Sequence, residues 1–399
     1  MSSGTTSRVK DDKKTKRSIE LFGGAGGLAL GISSLGFKTV SFVEWDHPSC
    51  ETLRVNQQLG TPLVSEWPVV EDDVRNIDYS KFKSGIDLLS GGPPCQPFSL
   101  GGKGKAYDDH RDMFPEAVRA VRELRPRAFI FENVKGLTRQ TFASYFSYIQ
   151  LQLTYPSIAP LPDEEWQEHL ARLEKAHTSG EPLEYRVVVR LLNAADYGVP
   201  QKRERVVFVG FREDLGLEWT FPEPTHSAER LLYDKWVTGD YWDRHEIPVS
   251  ERGERPTETV IEKLKRTVDL SKKPWQTVRD AINDLPEPTL KEHPTIKNHV
   301  LRPGARIYPG HTGSHIDEPS KTIKAGAHGV PGGENMLLRA DGTVRYFTVR
   351  EASRIQNFPD NYVFPVAWSE SMRQLGNAVP VKLGLAITKS VDDLLKSVE

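Results

Sequence analysis

Residues 17–31 read RSIELFGGAGGLALG, and this stretch decides the fold that we expect. The apolar run at 17–22 is typical of a buried strand, and a glycine-rich turn leads from it into a short helix. Glycines allow the backbone to approach a ligand closely, and the start of a helix favours polar or anionic groups. The stretch therefore indicates the first strand–turn–helix unit of an α/β sheet, with a ligand beside the turn.

The alternation of strand and helix continues through the first half of the chain. Apolar runs predict further strands at 38–45, 86–92, 127–133, 185–200 and 203–211, and helical patterns lie at 48–59 and 113–124. Strands that alternate with helices of this length indicate βαβ units. We expect an α/β fold with a Rossmann-like, doubly wound, mainly parallel sheet.

Two regions interrupt this rhythm. Residues 154–184 hold an amphipathic helix at 163–177 and are expected to be an insertion. Residues 213–346 carry many prolines and few apolar runs, before helical patterns resume at 348–356, 371–380 and 381–398. The expected organisation is a disordered tail, a catalytic domain built from two pieces and a smaller inserted domain. Their bounds are 1–16, then 17–212 with 347–399, and 213–346.

Composition sets the class of protein. The net charge of −2 argues against a generally basic nucleic-acid coat, so a polyanion would have to meet a local patch. The two cysteines, Cys50 and Cys95, form neither a disulfide framework nor a metal cluster and are typical of a reducing compartment. No signal peptide or long apolar stretch is evident, so we expect a cytoplasmic protein without a membrane partner. The histidines are irregularly spaced, and no metal is expected.

An acidic residue follows the glycine-rich turn at the spacing that is typical of a ribose-binding carboxylate. Glu44 ends the second strand about 20 residues further on, where a carboxylate can bond ribose hydroxyls. Asp73 is a further acidic candidate. The third glycine of the dinucleotide pattern is missing, which favours a smaller adenosine ligand. The alternative is a tight turn that only packs on the sheet.

A thiol, a carboxyl group and two arginines are expected at the same edge. Cys95 lies within GGPPCQPFS (91–99), just after the strand predicted at 86–92, and Glu132 lies at the end of the next predicted strand. In QKRERVVFVG, Gln201, Arg203 and Arg205 alternate and so share one face of an extended segment. Each residue alone is more often a core thiol or a solvated charge. Together they indicate a catalytic site, since the carboxyl ends of parallel strands form the ligand edge.

Six motifs now carry a resemblance. ELFGGAGGL, PPCQPFS, FENVKGL, QKRERVVFVGF, REASRIQNFPD and QLGNAVP follow one another in this order from residue 20. The chain is similar to the DNA cytosine-5 methyltransferases of type II restriction–modification systems. The resemblance implies S-adenosylmethionine (AdoMet) as methyl donor, an AdoMet-dependent methyltransferase fold, and cytosine in duplex DNA as substrate. It also implies that residues 213–346 form a target-recognition domain.

The resemblance implies a role for each candidate residue. Cys95 would add to cytosine C6, Glu132 would act at N3, Arg205 would contact O2, and Arg203 would brace the Cys95 loop. A flipped-out base would be covered by the loop at 99–111. The residues expected to bind the cofactor are Phe22, Gly24, Gly26, Glu44, Trp45, Asp73, Pro94 and Asn377. Those expected to contact DNA are Gln96, Ser99, Lys103, Lys105, Arg111, Gln201, Thr322, Lys324 and Gly326, the last three within the preferred base-reading stretch 319–333.

The expected partners and the alternative functions follow from the same resemblance. We expect a monomer that acts on double-stranded DNA, with a cognate restriction endonuclease as a functional rather than a physical partner. A tRNA cytosine-5 methyltransferase is the nearest alternative, and the length of 213–346 favours a DNA reader over it. A catalytically silent DNA-binding relative is the other alternative. The presence of Cys95, Glu132, Arg203 and Arg205 argues against it.

Overall fold

The computed structural model describes residues 15–82, 85–94, 112–326 and 335–398. Its centre is a seven-stranded sheet in the order β3-β2-β1-β4-β5-β7-β6. The strands are β1 Arg17–Leu21, β2 Lys38–Glu44, β3 Val69–Glu71, β4 Leu88–Gly91, β5 Ala128–Val134, β6 Tyr185–Asn193 and β7 Glu204–Arg212. The first five pair in parallel, whereas β7 runs antiparallel to both β5 and β6. The expected α/β fold with a mainly parallel sheet is confirmed.

Helices cover both faces of this sheet, and further short helices lie in residues 213–346. In chain order they are α1 Gly27–Ser33, α2 His47–Gln58, α3 Phe114–Leu124, α4 Ala143–Thr154, α5 Trp166–Thr178, α6 Ala228–Tyr233, α7 Asp240–Arg244, α8 Glu258–Thr267, α9 Val278–Ile282, α10 Val349–Ile355, α11 Trp368–Asn377 and α12 Val381–Leu395. Several begin at caps that are visible in the sequence. Asp46 accepts from Ser49 N at the start of α2, and Thr348 forms a capping box with Glu351 at the start of α10.

The core divides between the two faces of the sheet. On one face Ile19, Leu89 and Phe208 pack with side chains of α3 and α4. On the other face Ile130 and Val207 pack with α1 and α12. Parallel strands buried on both faces read as continuous apolar runs, which is why their positions could be predicted from the sequence.

The predicted strand at 185–200 is too long. Strand β6 ends at Asn193, and a 3₁₀ turn follows over Ala194–Tyr197. The Asn193 side chain accepts a hydrogen bond from Ala195 N at 3.3 Å. An asparagine that bonds the backbone two residues on favours a turn over a continued strand.

The helix expected within 154–184 is confirmed, with bounds at 166–178. The Trp166 ring packs against Tyr145 and Tyr148 of α4, at centroid distances of 5.8 and 5.6 Å. The Tyr148 hydroxyl lies 2.8 Å from His169 Nδ1, and Leu173 is fully buried. Helix α5 therefore extends the core on the α4 side of the sheet.

Residues 213–346 form short elements with little core of their own. Their strands are β8 His226–Ser227, β9 Lys273–Pro274, β10 Ser314–His315, β11 Met336–Leu338 and β12 Val344–Tyr346. One small cluster, centred on Tyr241 and Trp242, is internal to the region. Ile282 and Ile323 instead share a cluster with α10 and α11. Packing therefore joins this region to α10 and α11, and among the described residues no gap in the core marks where it begins or ends. The domain boundaries 213–346 stay a prediction.

Candidate active site

The carboxyl ends of four parallel strands bring the candidate residues to one edge of the sheet. Strands β1, β2, β4 and β5 end there at Leu21, Glu44, Gly91 and Val134. The glycine-rich turn follows β1 directly. Its backbone has positive φ at Phe22 (54°), and at Gly24 (52°) and Gly26 (82°). A turn that passes through the left-handed region in this way favours glycine.

Glu44 ties the end of β2 to this turn. Its Oε2 accepts from Gly24 N at 2.7 Å, and its Oε1 accepts from Trp45 N at 2.9 Å and Asp46 N at 2.8 Å. Burial raises the pKa of Glu44, and the three backbone donors oppose that shift. The carboxylate is therefore fixed beside the turn.

The neighbouring side chains fit a nucleoside. The Trp45 side chain is 70% exposed, so a flat ring has room to stack on it. A Cβ built on Gly24 would meet no atom within 4 Å, so there is open space beside the turn. Phe22 packs partly against the core. A buried carboxylate, an open turn and an exposed indole could hold a ribose and a base.

Asp73 is held by its own turn. Arg75 donates from Nε to Asp73 Oδ1 at 2.9 Å and pairs with Oδ2 at 2.5 Å, which lowers the pKa of Asp73. The neighbouring Asp72 accepts from Asp73 N and from Asn76. The expected contact of Asp73 with an adenine amino group stays a prediction.

The other expected cofactor residues lie after β4 and at the end of α11. Pro94 is half-buried, and its carbonyl accepts from Met113 N at 3.2 Å. Asn377 is exposed at the last position of α11. Asn133, at the end of β5, donates to Pro93 O at 2.9 Å and so links that strand to the lead into residue 95.

Glu132 and Arg205 form an ion pair at the active edge. Arg205 Nε lies 2.5 Å from Glu132 Oε1, and the two side chains are 11% and 10% exposed. The antiparallel register of β5 and β7 sets this contact. Val134 stands opposite Arg205 and Val207 stands opposite Glu132, so Glu132 and Arg205 are diagonal neighbours on one face of the sheet. A Cβ built on Gly92 would lie 3.5 Å from Glu132 Oε2. The acid is therefore adjacent to the segment that leads to Cys95.

Arg203 is completely buried and bridges two carbonyl groups. It donates from Nη1 to Ile323 O at 3.2 Å and from Nη2 to Gly376 O at 2.8 Å. Burial lowers the pKa of Arg203, and the nearby Arg205 charge adds to that effect. Within the described residues Arg203 holds Ile323 against α11, and its expected bracing of the Cys95 loop stays a prediction.

Gln201 is also fully buried. Its Oε1 accepts from Ile323 N at 3.0 Å, and its Nε2 donates to Gln356 Oε1 at 2.9 Å. The expected DNA contact of Gln201 finds no support in this geometry, because both ends of the amide are used inside the protein. The alternating pattern correctly placed Gln201 with Arg203, but the shared face is covered by protein rather than solvent.

The described part of the preferred base-reading stretch, which we call the 319–326 segment, lies beside Gln201. Thr322 Oγ1 donates to Lys202 O at 2.8 Å, and Lys324 N donates to Asn335 Oδ1 at 3.1 Å. Gly326 is exposed and has φ of 76°. Thr322, Lys324 and Gly326 thus share one segment whose backbone is fixed and whose outer side is accessible.

Comparison with known proteins decides the family. The family model for the C-5 cytosine-specific DNA methylases matches residues 16–154 and 167–393. The chain belongs to this family. It is therefore a DNA cytosine-5 methyltransferase. The match leaves out residues 155–166, within the expected insertion.

Curated relatives cover nearly all of this methyltransferase. It is 34% identical over 391 residues to Type II methyltransferase M.Eco47II of Escherichia coli, which is 95% of this chain and 79% of the relative. It is 30% identical over 391 residues to M.NgoMIV of Neisseria gonorrhoeae, covering 95% and 98%. A crystal structure of a Spodoptera frugiperda DNMT2 mutant matches with a TM-score of 0.55 and 16% identity, over 94% of this chain and 99% of that one. The last likeness concerns the fold alone.

Some expected residues of the methyltransferase cannot be located. Cys95, Gln96, Ser99, Lys103, Lys105 and Arg111 lie outside the described residues. The described cysteine, Cys50, is buried on α2, where burial raises its thiol pKa to about 12. A buried thiol with a raised pKa is unreactive, which is typical of a structural cysteine. Among the residues that are described, no group of histidine, cysteine and acidic side chains could hold a metal, and no helix could cross a membrane.

Sequence reasoning gave no role to Gln356. This residue lies within REASRIQNFPD, is fully buried and connects Gln201 to the end of α11. The available signal was its spacing in the predicted helix 348–356, four residues after Ala352 and seven after Val349. Its partners are 155 and 22 residues away in the chain, so the connection itself could not be foreseen.

Proposed function

We propose that this enzyme transfers a methyl group from AdoMet to C5 of a flipped-out cytosine in a specific short duplex DNA sequence, through a covalent adduct between Cys95 and C6. The observation that carries the proposal is the Glu132–Arg205 ion pair, which lies beside Gly92 at the edge that also holds the glycine-rich turn. An acid and a cation adjacent to the lead into a thiol suit attack on an electron-poor ring.

The thiol chemistry explains why these residue types are needed. Addition of the Cys95 thiolate forms an S–C6 bond, the C5–C6 double bond shifts to C4–C5, and the C4–N3 electron pair moves to N3, which takes a proton from Glu132. Carbon C5 would then be nucleophilic enough to take a methyl group from the sulfonium of bound AdoMet, whose S–CH3 bond would break and leave a neutral thioether. A base next removes the C5 proton, the S–C6 bond breaks, the C5–C6 double bond is restored as the thiolate leaves, and N3 returns its proton to Glu132. Arg205 would hold the cytosine O2 and keep Glu132 in place.

The residues around the glycine-rich turn fit AdoMet. Glu44 would bind the ribose, Trp45 and Phe22 would contact the adenine, and Asp73 would bond its amino group. Gly24 and Gly26 would shape the turn, while Pro94 and Asn377 would line the methionine end. Bound AdoMet supplies an electrophilic methyl group on its sulfonium. The open space beside Gly24 and the exposed Trp45 ring support this assignment.

DNA contacts are proposed for two parts of the chain. The target base is inaccessible inside a stacked duplex, so the enzyme must extrude it into the site. The loop at 99–111 would close over the base with Lys103, Lys105 and Arg111 on phosphates. Thr322, Lys324 and Gly326 would face base edges in the major groove. The type II relatives favour DNA over the tRNA alternative and suggest a cognate endonuclease as functional partner.

Bisulfite sequencing tests the proposal. Plasmid DNA is prepared from a host without cytosine methylation that expresses the wild type, Cys95→Ser or Cys50→Ala. Cys50→Ala is the matched control, because it removes the chain's other thiol. Protected cytosines that recur in one short motif are expected for the wild type and Cys50→Ala, and none for Cys95→Ser. Fully converted DNA from soluble wild type that binds AdoMet would favour a tRNA substrate or a silent DNA binder.

A further inference from the structure

One residue of the 319–326 segment is held at both of its backbone polar groups. Ile323 N donates to Gln201 Oε1 at 3.0 Å, and Ile323 O accepts from Arg203 Nη1 at 3.2 Å. Neighbouring bonds continue the contact, from Lys202 N to Ser320 O at 2.8 Å and from Ser320 N to Pro200 O at 2.9 Å. The segment therefore lies along residues 200–203 in a fixed register.

Of the two side chains that hold Ile323, Arg203 reaches the end of α11 directly and Gln201 reaches it through Gln356. Through Gln201, Ile323 is joined to Gln356, whose Nε2 donates to Leu375 O and, at 3.3 Å, to Ala378 O. Arg203 donates to Gly376 O at 2.8 Å. These three carbonyl groups surround Asn377, the expected cofactor residue. A continuous set of hydrogen bonds thus connects the base-reading segment with the cofactor edge.

Each hydrogen bond in this set has a defined donor and a defined acceptor. The amides of Gln201 and Gln356 are both fully buried, and each uses its oxygen and its nitrogen. A buried amide pair of this kind has one arrangement that satisfies all donors and acceptors. Loss of one amide leaves its partner unpaired in the interior, which is worse than loss of both. Such a pair selects one register between two pieces of chain rather than adding general stability.

We propose that Gln356 is a positioning residue for sequence recognition, which acts through Gln201 to set the 319–326 segment in register with the methyl-transfer site. The inference rests on the proposed DNA function and deepens it, because it makes base reading and catalysis depend on one buried connection. A duplex with a wrong base that pushes on Thr322 or Lys324 would displace Ile323 and, through Gln201 and Gln356, the end of α11 that carries Asn377. Discrimination between sequences is then expressed in the rate of methyl transfer as well as in binding.

The test compares Gln356→Met, Gln201→Met and the double variant with the wild type. Methionine keeps the length of the side chain and removes the amide. Gln152→Met is the matched control, because Gln152 is also a buried glutamine, on α4 and away from this connection. The recognition sequence comes from bisulfite sequencing of the wild type. The readouts are kcat and KM on that duplex, the same values on duplexes with one base pair changed, and the melting temperature.

Each single variant is expected to reduce the ratio of kcat/KM for the correct and the altered duplex about tenfold, chiefly through kcat on the correct one. The double variant should be no worse than either single variant, since the two amides act as a unit. Gln152→Met should keep the wild-type ratio even if its melting temperature falls. The proposal is overturned if Gln356→Met keeps the wild-type ratio, or loses only what Gln152→Met loses.

Two further results keep the proposal open to refutation. If Gln356→Met does not fold, Gln201→Met carries the same expectation. In the folded wild type, the Ile323 amide should exchange with solvent as slowly as a strand amide such as Ile130, and fast exchange would contradict the proposal. Absence of any methylation by the wild type would instead refute the proposed function, which separates the two failures.

Discussion

Replacing Gly376 with alanine tests how closely the 319–326 segment packs on α11. A Cβ at this position would lie 2.2 Å from Ala325 N, 2.4 Å from Lys324 C and 2.6 Å from Ala325 Cα. All three atoms belong to the backbone, so no side-chain rotation can relieve the contact. Since ordinary van der Waals contact starts at 3.4 Å, the segment has to move by about 1.2 Å.

The energetic cost follows from the bonds that cross this contact. Arg203 joins Gly376 O and Ile323 O at 2.8 and 3.2 Å, and a movement of this size takes at least one of them out of hydrogen-bonding range. We assign about 1 kcal/mol to the lost bond and about 1–3 kcal/mol to overpacking. Alanine is favoured over glycine in a helix by about 1 kcal/mol, which offsets part of this. The free energy of unfolding should fall by about 2 kcal/mol.

Thermal melting and a methylation assay measure the effect. Gly253→Ala is the control, because a Cβ there meets no atom within 4 Å, and its stability should change by less than about 0.5 kcal/mol. Gly376→Ala should melt at lower temperature than the control and should also discriminate less well between the correct and altered duplexes. A Gly376→Ala protein that matches the control in both measurements would refute the close packing and the magnitude derived from it.

Other substitutions test the acid, the cation and a buried carboxyl group. Glu132→Gln should lower kcat about 100-fold or more while AdoMet affinity is kept, because an amide cannot deliver a proton to N3; near-normal single-turnover rates would reassign the acid. Arg205→Lys keeps the charge but loses the planar fork and should lower kcat about tenfold, and an unchanged kcat would place O2 recognition elsewhere. Burial raises the pKa of Glu20 from 4.5 to about 8, while its hydrogen bond from Ser90 opposes the shift. The folded state then binds more protons than the unfolded state between these pH values, so the stability contributed by this group falls as pH rises through the window. Glu20→Gln should flatten the fall in melting temperature from pH 5 to 8, and equal slopes for variant and wild type would contradict the assignment.

The sheet and the edge that holds the site could be predicted because their signals are local. Apolar runs marked the long buried strands, and the glycines after residue 22 marked the turn to which Glu44 is bonded. Strand β3 has only three residues, Val69–Glu71, which is too short for a pattern to appear. Elements of two or three residues in 213–346 were missed for the same reason.

The environment of Gln201 and Arg203 could not be predicted. Alternation along an extended segment shows which side chains share a face, but it does not show what covers that face. The covering backbone comes from Ile323 and Gly376, which are 120 and 173 residues from Arg203 along the chain. Because of these long-range contacts, an arginine that the sequence pattern places on the surface is buried and links two distant pieces of the chain by hydrogen bonds.

The packing of α12 on α1 has a consequence for biosynthesis. Leu28 and Ile32 of α1 share a core cluster with Leu383 and Ile387 of α12. At roughly 5–20 residues per second, a ribosome needs roughly 20–70 s to make the chain between these helices. Throughout that time the outer face of α1 lacks its cover, and a nascent chain in this state is a target for chaperones and for aggregation. Emergence of α12 from the ribosome is thus the event that ends this exposure, and folding of the strand–turn–helix unit at 17–33 is complete only after it.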